Sequence, residues 1–177
     1  MRTTGHAPTV FVTYARGVPE HEEKVLSFVN YLRNNGFDAE NDKILQQKET
    51  SVEFLDMMLK GLSREKVIVV LSESYKTKSL LEGTGVYREY HYILKDIEKE
   101  KNKYIFVVFA KPPDYSHIAP SWIDSRDIID VTEVKGINLL FAKLLGDTVI
   151  PACPIGDTLP EVSKEQVPDF DLFIKKN

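Results

Sequence analysis

The pattern of apolar and polar positions from residue 66 to residue 100 predicts a buried strand, a loop and an amphipathic helix. The strand is the unbroken apolar run Val67–Leu71, which is typical of a parallel strand covered on both faces. A polar turn at residues 72–76 and a loop with two glycines follow it. The helix is predicted from Val86 onwards, because apolar residues recur there at helical spacing, at Val86, Tyr90, Ile93, Leu94 and Ile97.

The same periodicities divide the rest of the chain into alternating strands and helices. Pro19 suits the first turn of the first helix, since its missing N–H is not needed there. The other predicted strands are residues 9–14, 37–40, 104–109 and 127–131, and the other predicted helices are residues 19–34, 51–62 and 136–145.

Two internal segments lack a regular pattern. Residues 41–50 are polar and are expected to form an exposed surface loop, after which Ser51 caps the next helix. Residues 111–125 are expected to be irregular, with Trp122 as the side chain that anchors them to the core.

The length of 177 residues favours one domain with a proper core. We expect this domain to cover residues 9–146, after a loose lead-in of residues 1–8. Residues 147–177 hold four prolines and little periodicity. They are expected to form a tail that either packs against the domain or links it to a partner.

The alternation predicts an α/β fold, a flavodoxin-like five-stranded parallel sheet with helices on both faces. The expected strand order is 2-1-3-4-5, which reverses direction between the first and third strands. Ligands of such sheets bind beyond the carboxyl ends of the strands at that switch point. The residues expected there are Tyr14, Ala15 and Arg16 after the first strand, and Ser72, Glu73 and Ser74 after the third.

Glu89 is the candidate for chemistry in this crevice. At about 100° per residue it lies beside the apolar stripe of its helix and outside the middle of the solvent face. It is predicted in the first turn of the helix that follows the third strand, so it can reach the switch point. The simpler alternative is a solvated glutamate near the positive end of the helix dipole.

Composition narrows the classes of function. A net charge of −4 gives no electrostatic reason to expect nucleic acid as a partner. One cysteine and four scattered histidines offer no metal-ligand spacing. Neither a signal peptide nor a membrane-spanning run is present, which predicts a cytoplasmic protein without a membrane partner. No glycine-rich phosphate loop of the usual kinds is found.

Four segments carry a family resemblance. Residues 10–14 read VFVTY, residues 25–37 form a helix that ends in a glycine turn, residues 67–75 read VIVVLSESY, and residues 83–89 read GTGVYRE. In this order and spacing, over residues 9–145, they resemble the bacterial type of SEFIR domain, a branch of the TIR-like (STIR) superfamily.

The resemblance implies two classes of function. Some family members hydrolyse NAD⁺ at the nicotinamide–ribose bond, often in bacterial antiviral immunity and when assembled into filaments. Others are noncatalytic scaffolds that bind only their own kind. The expectation here is a self-assembling NAD⁺ glycohydrolase that uses NAD⁺ as its substrate and needs no cofactor or metal, with the scaffold as the alternative. A sensor that binds a nucleotide without turnover is a third possibility.

The resemblance assigns catalysis to Glu89, or to Glu82 if the glutamate is aligned differently. A carboxylate there can stabilise the oxocarbenium-like sugar that remains when nicotinamide departs. Position at the switch point predicts that Arg16 pairs with the diphosphate and that the Tyr14 ring stacks on a base or on nicotinamide. The other predicted substrate contacts are Ala15, Ser72, Ser74 and Tyr87.

Asp42 and Lys43 lie in the predicted surface loop of residues 41–50 and are expected to form the assembly contact. Each of the remaining assignments has a simpler alternative. Arg16 could be a solvated loop residue, Tyr14 could be a core residue, and Ser72 with its neighbour Ser74 could only cap a turn.

Overall fold

The computed structural model describes residues 6–48, 50, 51, 53–110, 112, 114–123 and 125–173. Its strands form one parallel sheet in the order β2-β1-β3-β4-β5. This confirms the predicted fold class and strand order, including the reversal between β1 and β3. The strands are β1 (Thr9–Thr13), β2 (Asp38–Asn41), β3 (Lys66–Val70), β4 (Tyr104–Val108) and β5 (Ile128–Asp130).

Helices cover both faces of the sheet. The α-helices are α1 (Pro19–Asn34), α2 (Asp42–Gln47), α3 (Phe54–Leu62), α4 (Glu73–Ser79), α5 (Gly85–Asp96) and α6 (Val134–Leu145), with short 3-10 turns at Tyr115–His117 and Phe170–Phe173. Helices α1 and α6 pack on one face, and α3, α4 and α5 pack on the other.

The alternation of side chains along β1 decides which layer each residue joins. Val10 and Val12 face α1 and α6, whereas Phe11 faces the layer of α3, α4 and α5. Thr13, the last residue of β1, follows Phe11 by two positions and is 4% exposed. The hydroxyl of Thr13 therefore lies at the carboxyl end of β1 and points to the layer of α3, α4 and α5.

Two short helices replace segments that were expected to be a loop and a turn. The Asn41 side chain accepts a hydrogen bond from the Ile44 N–H at 3.0 Å and caps α2. Ser72 caps α4 in the same way, accepting from the Tyr75 N–H at 3.1 Å. Each helix has at most two turns, too few for an apolar repeat to reveal it. The prediction of an irregular loop at 41–50 is therefore wrong.

The starts of α3 and α5 also differ slightly from expectation. Helix α3 begins at Phe54 and is capped by Glu53, whose carboxylate accepts from the Asp56 N–H at 3.0 Å, so Ser51 is not the cap. Helix α5 begins at Gly85, which places Glu89 in its second turn and not its first.

The C-terminal segment adds nothing to the core. Each of residues 147–172 is exposed, and whether this stretch rests on the surface of the domain or links it to a partner stays a prediction. Trp122, by contrast, packs edge-on against Phe106 with ring centroids 5.9 Å apart, as its anchoring role predicts. Within the described part of the chain, no helix is long and apolar enough to cross a membrane.

Candidate active site at the switch point

A cavity of about 260 Å³ opens at the carboxyl end of β1, one of the two strands between which the strand order reverses. It lies between the end of β1, the start of α2, helix α3 and the start of α5. Its lining combines an apolar wall with charged and hydroxyl side chains, namely Phe11, Thr13, Tyr14, Arg16, Asp42, Phe54, Met57, Met58, Lys78, Thr84, Gly85, Val86 and Glu89.

Glu89 is the buried acid of this cavity. It is only 8% exposed, and its Oε2 accepts a hydrogen bond from the Thr13 hydroxyl at 2.6 Å. Its Oε1 is buried and has no hydrogen-bond partner among the described residues. A buried polar atom without a partner is costly, so this oxygen indicates a position where a ligand or solvent group completes the site.

Burial changes the ionisation of Glu89. Loss of solvent is the main cause that raises its pKa to about 7, and the negative charge of Asp42 adds to the rise. The hydrogen bond from Thr13 and, more weakly, the dipole of the nearby Tyr75 hydroxyl, which makes no hydrogen bond of normal geometry with the described residues, lower this pKa. Glu89 therefore divides between its neutral and charged forms at neutral pH, unlike an exposed glutamate.

Arg16 and Asp42 form an ion pair beside Glu89. The Arg16 Nε lies 2.5 Å from the Asp42 Oδ2, and their side chains are 41% and 17% exposed. The Asp42 Oδ1 also accepts the Lys43 N–H at 2.7 Å, which fixes the carboxylate at the start of α2. The Arg16 Nη2 is buried without a hydrogen-bond partner among the described residues, so one donor of the guanidinium is unsatisfied.

The connection between α4 and α5 supports this arrangement. Lys78 donates a hydrogen bond to the Arg16 carbonyl. Thr84 accepts the Tyr87 N–H at 3.0 Å as the cap of α5 and donates to the Lys78 carbonyl at 2.7 Å. This chain of contacts fixes the backbone after β1 relative to the helix that carries Glu89.

The apolar wall depends on two glycines. A Cβ on Gly85 would approach the Phe54 ring to 2.5 Å, so the ring lies directly on the start of α5. A Cβ on Gly61 would approach the Phe11 ring equally closely, in the interior of α3. Both rings line the cavity and are placed by the missing side chains.

Ion pairs attach α2 to the rest of the domain. No residue of α2 is fully buried, although Ile44 and Leu45 pack partly against the core. Besides Asp42 with Arg16, Lys43 pairs with Glu22 of α1, and Lys48 at the end of α2 pairs with Glu40 of β2. The α2 wall of the cavity is therefore held largely by charge.

The structure brings three predicted residues together in the cavity: Glu89, Arg16 and Tyr14. The Tyr14 hydroxyl is buried, and desolvation together with Asp42 raises its pKa well above the ordinary value. Ala15 is fully buried behind the cavity and does not line it. Glu82, the alternative catalytic carboxylate, is exposed and lies outside the lining.

Three predicted substrate contacts lie elsewhere. Ser72 caps α4 and lines a separate cavity on the α1 side of the sheet. Ser74 lies in the first turn of α4 and contributes to neither cavity. The Tyr87 ring packs against His91, with centroids 4.1 Å apart, and is also absent from the cavity lining.

The exposed position expected for Asp42 is wrong. Its carboxylate is drawn into the cavity by Arg16, which follows β1, so it is poorly placed to meet another subunit. Its role in assembly stays a prediction that this position disfavours. Lys43 points instead to Glu22, with its side chain 34% exposed, and remains available to a surface contact.

Sequence reasoning missed Thr13, Tyr75 and Lys78 as residues of the site. Thr13 had a usable signal, because it stands two positions after Phe11 and puts a hydroxyl on the buried side of the strand. Tyr75 is fully buried, and desolvation followed by the Glu89 charge raises its pKa. Among the described residues, no group of three or more His, Cys, Asp or Glu is arranged to hold a metal ion.

Comparison with known proteins gives this site a family context. None of the curated proteins matches the chain. The fold is similar to the crystal structure of a prokaryotic SEFIR domain, with a TM-score of 0.61 and 17% identity. The match covers 85% of this chain and 100% of that chain. The SEFIR domain family model matches residues 8–125. The chain therefore belongs to the SEFIR domain family, a group of TIR-like signalling domains.

Proposed function

We propose that this SEFIR domain is an NAD⁺ glycohydrolase that cleaves the bond between nicotinamide and ribose. The observation that carries the proposal is the buried carboxylate of Glu89, with one unpartnered oxygen, in the cavity at the switch point. Ligands of open parallel sheets bind at that point. Similarity to TIR-like domains, some of which act on NAD⁺, supports the same substrate.

The chemistry fits a site with a single buried carboxylate. Nicotinamide leaves a cationic pyridinium as a neutral molecule, so its departure needs no general acid. The C1′–N bond breaks, its electron pair goes to the ring nitrogen, and an oxocarbenium-like ribose remains. Ionised Glu89 stabilises that positive charge in a poorly solvated cavity, where electrostatic interactions are strong. Its unpartnered Oε1 is the atom available to a ribose hydroxyl.

The size and lining of the cavity indicate which part of NAD⁺ it holds. A cavity of about 260 Å³ is slightly below the ~300–1,000 Å³ of typical small-molecule pockets. It accommodates the nicotinamide–ribose half of NAD⁺ and leaves the adenosine half outside. The Arg16 guanidinium, with its free Nη2, meets the diphosphate between the two halves. The Phe54 ring, which lines the cavity and is 46% exposed, offers a face for the nicotinamide.

Self-association has a role in the proposed activity. SEFIR and TIR-like domains associate homotypically, and a monomer leaves half of the dinucleotide uncovered. A neighbouring copy supplies the missing wall and excludes water from the reaction. Assembly into a filament then acts as the trigger of a cytoplasmic enzyme in bacterial antiviral defence.

The test is release of nicotinamide from NAD⁺ by concentrated purified protein. Wild type and Glu82→Gln, which changes the exposed carboxylate, should release nicotinamide. Glu89→Gln should lose at least about a hundredfold in rate, as expected when a group that stabilises transition-state charge is removed. Full activity in Glu89→Gln would remove Glu89 from the mechanism.

A noncatalytic homotypic scaffold is the second candidate. The ion pair between Arg16 and Asp42 favours it, because this pair engages the guanidinium that would bind a diphosphate. A wild-type protein that assembles but releases no nicotinamide at any concentration would establish the scaffold and contradict the enzyme.

A further inference from the structure

We propose that Asp42 is a second catalytic residue, which accepts the proton of the water that attacks C1′ of the ribose. The inference rests on the proposed glycohydrolase function and assigns the step that follows nicotinamide departure. Glu89 stabilises the sugar cation, and Asp42 turns water into the nucleophile.

The geometry places both carboxylates in one cavity. Asp42 and Glu89 line the same space of about 260 Å³, and Asp42 is close enough for its charge to affect Glu89. Asp42 is partly exposed whereas Glu89 is buried, so solvent water has readier access to the Asp42 carboxylate.

The surroundings of the two carboxylates favour different roles. Asp42 is the acidic partner of an ion pair with Arg16, and the Lys43 N–H holds its other oxygen at 2.7 Å. It is thus an oriented carboxylate. Glu89 lines the cavity, and its Oε1 is buried without a hydrogen-bond partner among the described residues. Paired carboxylates in unlike environments divide the work in enzymes that hydrolyse glycosidic bonds.

Other groups at the cavity are poor bases for this step. Burial raises the pKa of Tyr14 far above neutrality, so its phenol keeps its proton. Lys78 is a cation whose amine donates to the Arg16 carbonyl. Thr13 donates its hydroxyl to Glu89. Asp42 is the other carboxylate in the lining.

The proposed step balances. The water oxygen forms a bond to C1′ as the carbon loses its positive character. One water proton passes to the Asp42 carboxylate and then to bulk solvent, and the product is ADP-ribose. A pyridine base that takes the place of water attacks through its ring nitrogen and has no proton to lose. Base exchange is therefore independent of Asp42, whereas hydrolysis depends on it.

The experiment compares Asp42→Asn with wild type in NAD⁺ plus 3-acetylpyridine. Asparagine keeps an oxygen that can accept the Lys43 N–H, so the start of α2 is preserved. The two measured products are ADP-ribose and the exchanged dinucleotide. General base catalysis contributes roughly 10²–10⁴-fold. We therefore expect the ratio of hydrolysis to exchange to fall by at least about tenfold.

A matched control is Asp38→Asn, which removes a carboxylate on β2 outside the cavity lining. Its product ratio should equal that of wild type. An unchanged ratio in Asp42→Asn would overturn the inference. Equal loss of hydrolysis and exchange would also overturn it, because Asp42 would then act in substrate binding or through Arg16. Absence of nicotinamide release from wild type would instead contradict the underlying glycohydrolase.

Discussion

The hydroxyl of Thr13 donates a 2.6 Å hydrogen bond to the carboxylate of Glu89. This bond joins the last residue of β1 to the second turn of α5, across 76 positions in the sequence. It holds the buried acid at the carboxyl end of the sheet and lowers the pKa of Glu89 against the stronger effect of burial. Strand β1 thus both positions and tunes the proposed catalytic group.

Thr13→Val should shift the pH dependence of NAD⁺ turnover. The ionised form of Glu89 is the active one, so kcat/KM of wild type should rise with pH through about 7. Removing the hydroxyl removes a group that lowers this pKa, while Asp42 and Tyr75 stay in place. The midpoint should therefore move to higher pH, and Thr13→Ser should restore it. Identical profiles for all three proteins would show that the hydrogen bond does not act on the reaction.

Glu89→Gln should stabilise the folded domain at alkaline pH. The folded pKa of about 7 lies above the ordinary 4.5. Stability from the neutral carboxyl is therefore complete below about pH 4.5 and is lost as the pH rises to 7. Glutamine stays neutral at every pH. The free energy of unfolding of the variant minus that of wild type should therefore be about 2–3 kcal/mol larger at pH 8 than at pH 5. Urea unfolding at both pH values measures this difference.

The control for that measurement is Glu82→Gln, because Glu82 is exposed. It should show no pH-dependent gain. If Glu89→Gln gained no stability at pH 8, the carboxylate would be solvated in solution and its burial would not define the site.

Arg16→Ala should weaken the use of NAD⁺ mainly through KM. The variant removes the guanidinium that meets the diphosphate, and loss of a charge-assisted contact costs about 1.5–3 kcal/mol, or roughly tenfold to a hundredfold in affinity. Steady-state kinetics provides the measurement. Arg88→Ala is the matched control, since Arg88 is exposed on α5 outside the cavity. Equal KM values for both variants would show that Arg16 does not bind the diphosphate and only holds Asp42 in place.

Two glycine substitutions should have unequal effects on stability. Gly61→Ala forces a methyl group against the Phe11 ring, which is 2% exposed and has no room to move, so overpacking should cost about 1–3 kcal/mol. Gly85→Ala meets the Phe54 ring, which is 46% exposed and can turn outwards. It should cost little stability but should displace one wall of the cavity and raise KM. Equal losses of stability would contradict this difference in freedom.

If assembly closes the active site, as we propose, turnover per molecule should rise steeply with protein concentration. A dilution series with light scattering in parallel measures activity and particle size together. Lys43→Glu should lower both quantities while the fold is retained. Lys24→Glu, a charge reversal on the exposed side of α1, serves as control. A constant activity with a monomeric particle throughout would refute dependence on assembly.

The sheet and the position of Glu89 beside the core could be predicted because their signals are local. The strand at Val67–Leu71 is an unbroken apolar run, and the position of Glu89 beside an apolar stripe follows from helical spacing alone. Both features need only neighbouring residues, and the structure bears out the strand and the burial of Glu89.

The rest of the cavity depends on contacts between distant residues. Asp42, at the start of α2, is drawn into the cavity by an ion pair with Arg16, which follows β1. Thr13 becomes a partner of Glu89 only after α5 is laid over β1. Helices α2 and α4 are shorter than the window in which a helical repeat can be recognised. These are properties of the folded domain that no stretch of neighbouring residues encodes.

The attachment of α2 by ion pairs makes the shape of the site responsive to the solution. Packing of apolar side chains holds β1 and α5, and added salt does not weaken such contacts. Charge pairs hold α2, and the Debye length shrinks from about 8 Å at physiological ionic strength to about 3 Å at 1 M. High salt is therefore expected to weaken the attachment of α2 more than that of the sheet, with Ile44 and Leu45 still holding α2 in part. Varying the salt concentration therefore offers a way to change access to the cavity without unfolding the domain.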